Sequence, residues 1–561
     1  MTTRLRLFLC AFGAVLGACA PAHAAPPAAP PDAGQTLHEL QQPPLPALPG
    51  AVAPLTIEGP EEGHSADDFR FLIKEIRITG NTRIPTPTLR ALVSDLTGAE
   101  HTLAELRAAA ARITDYYRQR GFPVARAYLP AQEIRDATVT IDIIEGRLDQ
   151  HLLENHSRLS DTRIQASLDH LEEGQVLESS RIDRSLLLLN ATPGVGGSRA
   201  TLQPGTSVGT STLVVTADPG PTFSGDAQLD NYGNRYTGQN RLGGSVYVNS
   251  PLHLGDQLAV NAVSTGRGLL YGRLAYQLPV GGDGLRVGAA VFDTRYHLGK
   301  DFSVLEAHGT ASGASLFTTY PFVLRQQTNL TATVTAEKKH LTDYVDLTGT
   351  VTEKHVYLGN FEFSGSHRDT LAGGGLTSAS VLLAAGDLDI QSPLARFIDE
   401  LSAGSDGRYI RLSYSLARLQ RLTDSTTVSL AVSGQRSNKN LDSSEKFSLG
   451  GAEGVRAYPE GEGIGDEGYL LNLELHQELT RLLQGVLFYD SGSVILNRKP
   501  FQIGIPNSRR LAGAGLGASL RLGQFQIKAT VAWRTAGGEP QSIPSYAVRT
   551  PNLWLQIHKT F

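Results

Sequence analysis

From about Thr222 to Phe561 the chain shows a repeated period of two. Leu242, Gly244, Val246 and Val248 alternate with Arg241, Gly243, Ser245 and Tyr247; Ile410, Leu412, Tyr414 and Leu416 alternate with Arg411, Ser413 and Ser415. The same holds for Val428, Leu430 and Val432 against Thr427 and Ser429, and for Leu471, Leu473 and Leu475 against Asn472, Glu474 and His476. Successive side chains of a strand point to opposite faces, so this pattern predicts strands with one apolar and one polar face. Turn residues separate the runs, as at 279–284 and 404–407. A soluble β-sandwich or propeller and a transmembrane barrel both fit such strands. The polar faces carry bulky charges, Arg273, Arg411 and Glu474, which suit a wet lumen. Lipid offers the backbone no partner, so membrane strands must close on one another.

Upstream the period changes. Between residues 69 and 147, Ile76 and Ile78 alternate with Arg77 and Thr79, and a helix is predicted over 87–96. Thr102-Leu103-Ala104-Glu105 is a capping box opening a helix in which Leu103, Leu106, Ala110, Ile113 and Tyr117 share a face; Gly121 stops it. Strands follow near 126–129 and 138–144, giving the order β-α-α-β-β. Residues 148–219 repeat this order: a strand near Leu152, helices over 162–171 and 180–189, and strands over 200–203 and 211–216. A three-stranded sheet with two helices has open edges. The edge Ala125, Arg126, Ala127, Tyr128 and Leu129, beside the 102–120 helix, is the candidate for capturing an extended polypeptide by strand addition.

Residues 25–68 are rich in Pro and Ala and predict an extended linker with a short helix around Gln35 to Gln42. Residues 1–24 combine Arg4 and Arg6, an apolar run from Leu7 to Ala20, and Ala22-His23-Ala24: a secretory signal peptide. Leu16-Gly17-Ala18-Cys19 offers a lipoprotein cleavage box as the alternative; cleavage after Ala24 is preferred. Both cysteines, Cys10 and Cys19, lie in this leader, so a chain cut after Ala24 has neither disulfides nor thiolate metal sites. No later stretch approaches the roughly eighteen apolar residues of a membrane helix. The net charge of −5 gives no reason to expect a nucleic-acid partner.

Candidate chemistry is sparse. Gly205-Thr206-Ser207-Val208-Gly209 matches a nucleophile pattern that requires a strand-to-helix turn, but it joins two predicted strands and is expected to be a plain turn. No HExxH or P-loop occurs, and no cofactor or metal is expected. His297, His308 and His340 are expected on barrel strands or loops, and no pair has ligand spacing. The Tyr116–Tyr117 doublet is expected to serve helix packing.

Several longer motifs carry a family resemblance. They are Tyr116 to Leu148 (YYRQRGFPVARAYLPAQEIRDATVTIDIIEGRL), Asn190 to Gly205 (NATPGVGGSRATLQPG), Leu229 to Gly243 (LDNYGNRYTGQNRLG) and Ser448 to Tyr469 (SLGGAEGVRAYPEGEGIGDEGY). With them the chain resembles the two-partner (type Vb) secretion transporters, the haemolysin secretion/activation family of the POTRA-barrel insertase superfamily. The C-terminal strand Leu553-x-Leu555-x-Ile557-x-Lys559-x-Phe561 resembles the assembly signal of outer-membrane barrels, with Phe561 as its terminal aromatic. The resemblance implies a sixteen-stranded antiparallel β-barrel over 220–561, preceded by two periplasmic POTRA domains, 69–147 and 148–219. It implies a lumen loop with Val455, Arg456, Ala457, Tyr458, Gly465, Asp466 and Gly468, whose Arg456 meets Asp490 of the wall motif Phe488, Asp490 and Gly492. Ala457 stands where the family has Gly, and a positive φ there would strain it. An N-terminal helix plugs the pore in many relatives.

The resemblance further implies a translocator in the Gram-negative outer membrane, not an enzyme. Its partners would be a large secreted exoprotein (adhesin or haemolysin-like), membrane lipid, and the barrel-assembly machinery during biogenesis; the transporter itself would be monomeric. A barrel-assembly insertase and a passive porin are the rivals. Insertases usually carry more POTRA modules than two, and porins carry none.

Overall fold

The structure, a computed structural model, describes residues 30–41, 55–57, 70–502 and 504–561. The leader over 1–24 and most of the 25–68 linker lie outside the described residues. The first element is α1 (Ala33–Leu40), which starts two residues before the expected helix because Asp32 caps it: the Asp32 carboxylate accepts the Gln35 N–H at 2.8 Å. A two-residue strand, β1 (Thr56–Ile57), follows.

The first module comprises β2 (Arg70–Leu72), β3 (Glu75–Thr79), α2 (Thr86–Ala91), β4 (Glu100–Thr102), α3 (Leu103–Gln119), β5 (Arg126–Tyr128) and β6 (Thr138–Ile144). Its sheet runs β3-β6-β5, with β3 parallel and β5 antiparallel to β6; β2 and β4 form a separate small ladder. The capping box is made: Thr102 Oγ1 accepts from Glu105 N, and the Glu105 carboxylate accepts from Thr102 N. The helix expected over 87–96 is shorter, ending at Ala91 with a 3-10 turn over Ser94–Leu96. Leu106, Ala110, Ile113 and Tyr117 pack on Ile76, Ile78, Val139, Ile141 and Ile143. Leu103, predicted on the same face, is only half-buried. Tyr117 is fully buried and its hydroxyl donates to Glu145, whereas Tyr116 stacks under the Arg120 guanidinium at the surface.

The second module comprises β7 (Arg147–Asn155), α4 (Asp161–Ala166), α5 (Ser179–Asn190), β8 (Val195–Pro204) and β9 (Thr210–Pro219). Residues 205–209 form the β8–β9 turn. The sheet has four strands, β1-β8-β9-β7, because the linker supplies its edge: Thr56 and Ile57 align in parallel with Thr201 and Leu202. An exposed edge presents unpaired backbone groups, and here the chain's own linker covers them. Leu55 packs against the module's core.

The remaining chain forms β10 (Phe223–Asp230), β11 (Arg241–Asn249), β12 (Gln257–Ser264), β13 (Leu269–Val280), β14 (Leu285–His297), β15 (Ala307–Leu324), β16 (Thr328–Val345), β17 (Thr350–Asp369) and β18 (Gly375–Ile390). After α6 (Pro393–Glu400) come β19 (Gly407–Arg421), β20 (Thr426–Ser437), β21 (Phe447–Ser448), β22 (Ile464–Gly465), β23 (Glu467–Glu478), β24 (Leu483–Ile495), β25 (Ser508–Leu522), β26 (Phe525–Ala536) and β27 (Asn552–Thr560). Sixteen of these strands, β10–β20 and β23–β27, close into one antiparallel barrel. Leu242, Ile410, Leu412, Leu416, Leu473 and Leu555 all stand exposed on its outer face, so the period-two pattern is the barrel's inside–outside alternation. No helix among the described residues is long and apolar enough to cross a membrane.

The turns at 250–256 and 281–284 touch the second module, for instance through Ser160 N–H to His253 O at 3.0 Å. They mark the near rim. The long β20–β23 connection therefore starts from the far rim, and it folds back into the lumen.

Candidate functional site: the lumen loop and its wall

Residues 438–466 leave β20 and re-enter the barrel. Leu449, Val455, Ala457 and Tyr458 are buried against the inward side chains Leu470, Phe488, Val494, Leu511 and Ala532. Arg456 lies at the tip. Its Nε donates to Asp490 Oδ2 at 2.9 Å, its Nη2 to Asp490 Oδ1 at 2.7 Å, and its backbone N–H to Asp490 Oδ2 at 3.1 Å. This bidentate fork is the geometry in which guanidinium and carboxylate pair best. Nη1 reaches Glu474 Oε1 at 2.6 Å, and the guanidinium carbon stands 3.6 Å from the centre of the Phe488 ring. Phe488 and Asp490 are two residues apart on β24, so the ring and the carboxylate share the lumen face.

Asp490 is fully buried. Its remaining capacity is met by Asn472, whose amide donates to Oδ1 at 2.8 Å and to Gly454 O at 3.1 Å. On the other side, Trp554 Nε1 donates to Arg456 O at 2.8 Å, and the Tyr458 hydroxyl donates to Ala536 O at 2.8 Å. The tip is thus fixed to β23, β24, β26 and β27. Ala457 sits at negative φ, so the strain that a positive φ would have brought is absent. What it needs is space, and Gly513 on β25 provides it: a Cβ at 513 would lie 2.4 Å from that of Ala457.

The rest of the loop motif holds the loop's base. Gly465 pairs with Phe447 in the β21–β22 ladder. Asp466, fully buried, accepts Arg498 N at 2.8 Å and Leu441 N at 3.1 Å and pairs with Lys446. Gly468 pairs with Val494, and Gly492 with Leu470. The alternation marks Asn472 and Glu474 only as polar-face residues of one strand and gives no signal for Glu462 or Trp554. Glu462 binds Arg509 at 2.8 Å and accepts the N–H groups of Gln541 and Ser542. These groups are distant in sequence, and no local pattern connects them.

The α1 helix occupies the same lumen. Ala33 and Leu37 are buried among inward Tyr271, Phe292, Tyr296, Leu341 and Val356. Asp32 accepts from Ser443 Oγ at 2.6 Å and from Lys354 Nζ at 3.4 Å, and Ala33 N–H donates to Asp343 Oδ1 at 2.8 Å. Glu39 accepts from Asn234 at 3.1 Å. Lys354 also binds Asp442 at 2.8 Å, so helix and loop root share one cation.

In the first module, β5 lies at a sheet edge beside α3, but this edge is not open as expected. Ala127 N–H donates to Thr114 Oγ1 on α3 at 2.9 Å, and Ala125 N–H to Phe122 O at 3.3 Å. The Tyr128 hydroxyl is engaged by Asp142, and Leu129 packs on the core. Among the described residues, the opposite edge strand β3 has no strand on its outer side.

Two modules feeding a closed barrel with an inward-folded, arginine-tipped loop define an outer-membrane POTRA-barrel protein. The haemolysin secretion/activation protein family (ShlB/FhaC/HecB) matches residues 209–520, and its POTRA domain matches residues 71–146; the chain belongs to this family. It is an outer-membrane protein with periplasmic POTRA domains, from a family of two-partner secretion transporters. It is 27% identical to the heme/hemopexin transporter protein HuxB of Haemophilus influenzae over 95% of each chain. It is 23% identical to the outer membrane transporter CdiB of Dickeya dadantii over 82% of each. The solved CdiB from Escherichia coli shares its fold, with TM-score 0.70 and 20% identity over 94% of this chain and 96% of that one.

Proposed function

We propose that the protein carries a secreted partner polypeptide, unfolded, from the periplasm through the barrel to the cell surface. It works as a monomer and performs no chemistry on its cargo. The observation that supports this reading best is α1, a short helix seated in the lumen by polar contacts and by the buried Ala33 and Leu37, and joined by a linker to the periplasmic modules. The seat is small and its polar contacts are replaceable, because water or a passing chain can take over each hydrogen bond. The cargo is a large exoprotein of adhesin or haemolysin type. It adds as a strand to β3 of the first module rather than to β5, where the Ala125 and Ala127 donors are already used. The apolar outer band faces lipid, and the barrel-assembly machinery inserts the barrel.

Two measurements test the reading. Deleting residues 30–41 is expected to raise single-channel conductance in planar bilayers; unchanged conductance removes α1 as the plug. A photo-crosslinking side chain at Arg77 or Thr79, both exposed on β3, is expected to trap the protein encoded beside this gene during secretion. No crosslink at either position removes β3 as the capture edge.

A further inference from the structure

The outer face of the barrel carries a feature that export does not use. His340 on β16 and His355 on β17 are register partners. Their neighbours Lys339 and Lys354 point inward, to Glu445 and Asp442, so both histidines point outward. On the same face, toward the membrane band, come the Lys338–Tyr357 contact and then exposed Phe361 and Phe363. The histidines therefore stand just beyond the apolar belt, at the far rim. Glu353, two residues before His355, lies on that face too. Its Oε1 is 3.1 Å from His340 Nε2 and 3.8 Å from His355 Nε2. One ligand atom from each of the three residues lies within 4.8 Å of the other two.

We propose that His340, Glu353 and His355 form a binding site for a divalent transition-metal ion, best suited to zinc. Two imidazoles and a carboxylate are a zinc donor set. With metal–ligand bonds of about 2.0 Å and tetrahedral angles, donor atoms sit about 3.3 Å apart. The two distances from Glu353 bracket that spacing, and the imidazole nitrogens lie within 4.8 Å of each other, so closure asks the two histidines to approach by about 1.5 Å at most. The carboxylate's backbone is held in place: Glu353 N–H donates to Ser392 Oγ at 2.9 Å, and Gln391 N–H donates to Glu353 O at 2.8 Å. Three protein ligands leave a fourth position to water, and Thr342 Oγ1, 3.1 Å from His340 Nε2, is placed to hold that water. A bare ion pair between Glu353 and one histidine would not need the second imidazole at the same oxygen. Sequence spacing could not reveal the site, because its ligands meet only across the β16–β17 ladder.

The test uses the full chain in detergent, with any affinity tag removed. Zinc is titrated against a chromophoric chelator, and cobalt is then used as a spectroscopic probe. The expected result is one tight site per chain, with a visible cobalt band of four-coordinate intensity. His340→Ala, His355→Ala and Glu353→Gln should each weaken zinc about tenfold or more, since even indirect support of a ligand is worth that much. His308→Ala, whose ring stacks between His297 and Tyr344, should leave it unchanged. Heat-modifiable migration checks that each variant is folded. No stoichiometric binding by the wild type, or equal binding by the three ligand variants, overturns the proposal.

Discussion

Arg456 is held by two carboxylates, an aromatic ring and, at its carbonyl oxygen, the Trp554 indole N–H and the Asn552 amide. Removing one member of a buried, hydrogen-bonded ion pair leaves the other charge uncompensated, at a cost of about 3–5 kcal/mol. Asp490→Ala is therefore expected to loosen the lumen loop, read as new protease cuts within 449–465 in an inserted barrel. Adding Arg456→Ala should cost less than it does alone, because the two share one interaction. Glu145 poses a different residue-scale problem. It is buried in the first module, which by itself raises its carboxyl pKa, but hydrogen bonds from Thr82, Arg83 and Tyr117 outweigh burial and hold it below the ordinary value. A depressed carboxyl stabilises the fold fully above its unfolded value, roughly pH 4.3, and loses that contribution as pH falls toward the folded one. Hydrogen exchange at Thr82 and Arg83 should be faster in Glu145→Gln than in wild type near neutral pH. The gap should close in acid.

Among the elements, the seam between β10 and β27 is the shortest ladder in the barrel, aligning Asp226–Asp230 with Gln556–Thr560. Phe561 extends it: its N–H and C=O bond Gly225 O and Gly225 N, both at 3.0 Å. Its ring lies over Gly225, where a Cβ would be 2.9 Å from Phe561 Cζ and 2.2 Å from Ser245 O. Deleting Phe561 is expected to lower the amount of inserted, heat-modifiable barrel. Gly225→Val should do the same with the signal intact; normal insertion in both would show that the seam closes without this contact. The seam also shows what a sequence can and cannot carry. The alternation of Leu553, Leu555 and Ile557 announces a strand, and the capping box at Thr102 announces a helix, since both follow from neighbours along the chain. The pairing of Thr56 with Thr201, the donors used up at Ala125 and Ala127, and the shared lysine at 354 depend on residues distant in sequence. They were not legible. Arg456 and Asp490 lie between these cases, because two family motifs pointed at a contact that spacing alone would not suggest.

At the scale of the whole molecule, α1 is attached at both of its interfaces: in the lumen by Asp32 and Ala33, and through the linker to β8 of the second module. Asp32→Ala removes the helix cap, the Ser443 contact and one partner of Lys354 at once. It is expected to raise the fraction of time the pore conducts, measured in planar bilayers, with a larger effect at high salt, where the remaining ion pairs are screened. The linker adds something that contact energies do not express. Residues 41–55, between α1 and β1, span at most about 50 Å when extended. A helix that leaves the lumen on so short a leash stays at an effective concentration on the order of millimolar. Its return is a first-order event, indifferent to how many transporters the membrane holds. If α1 is the plug proposed above, the channel would behave as a self-reclosing door whose open interval is set by how long a passing chain keeps the doorway filled.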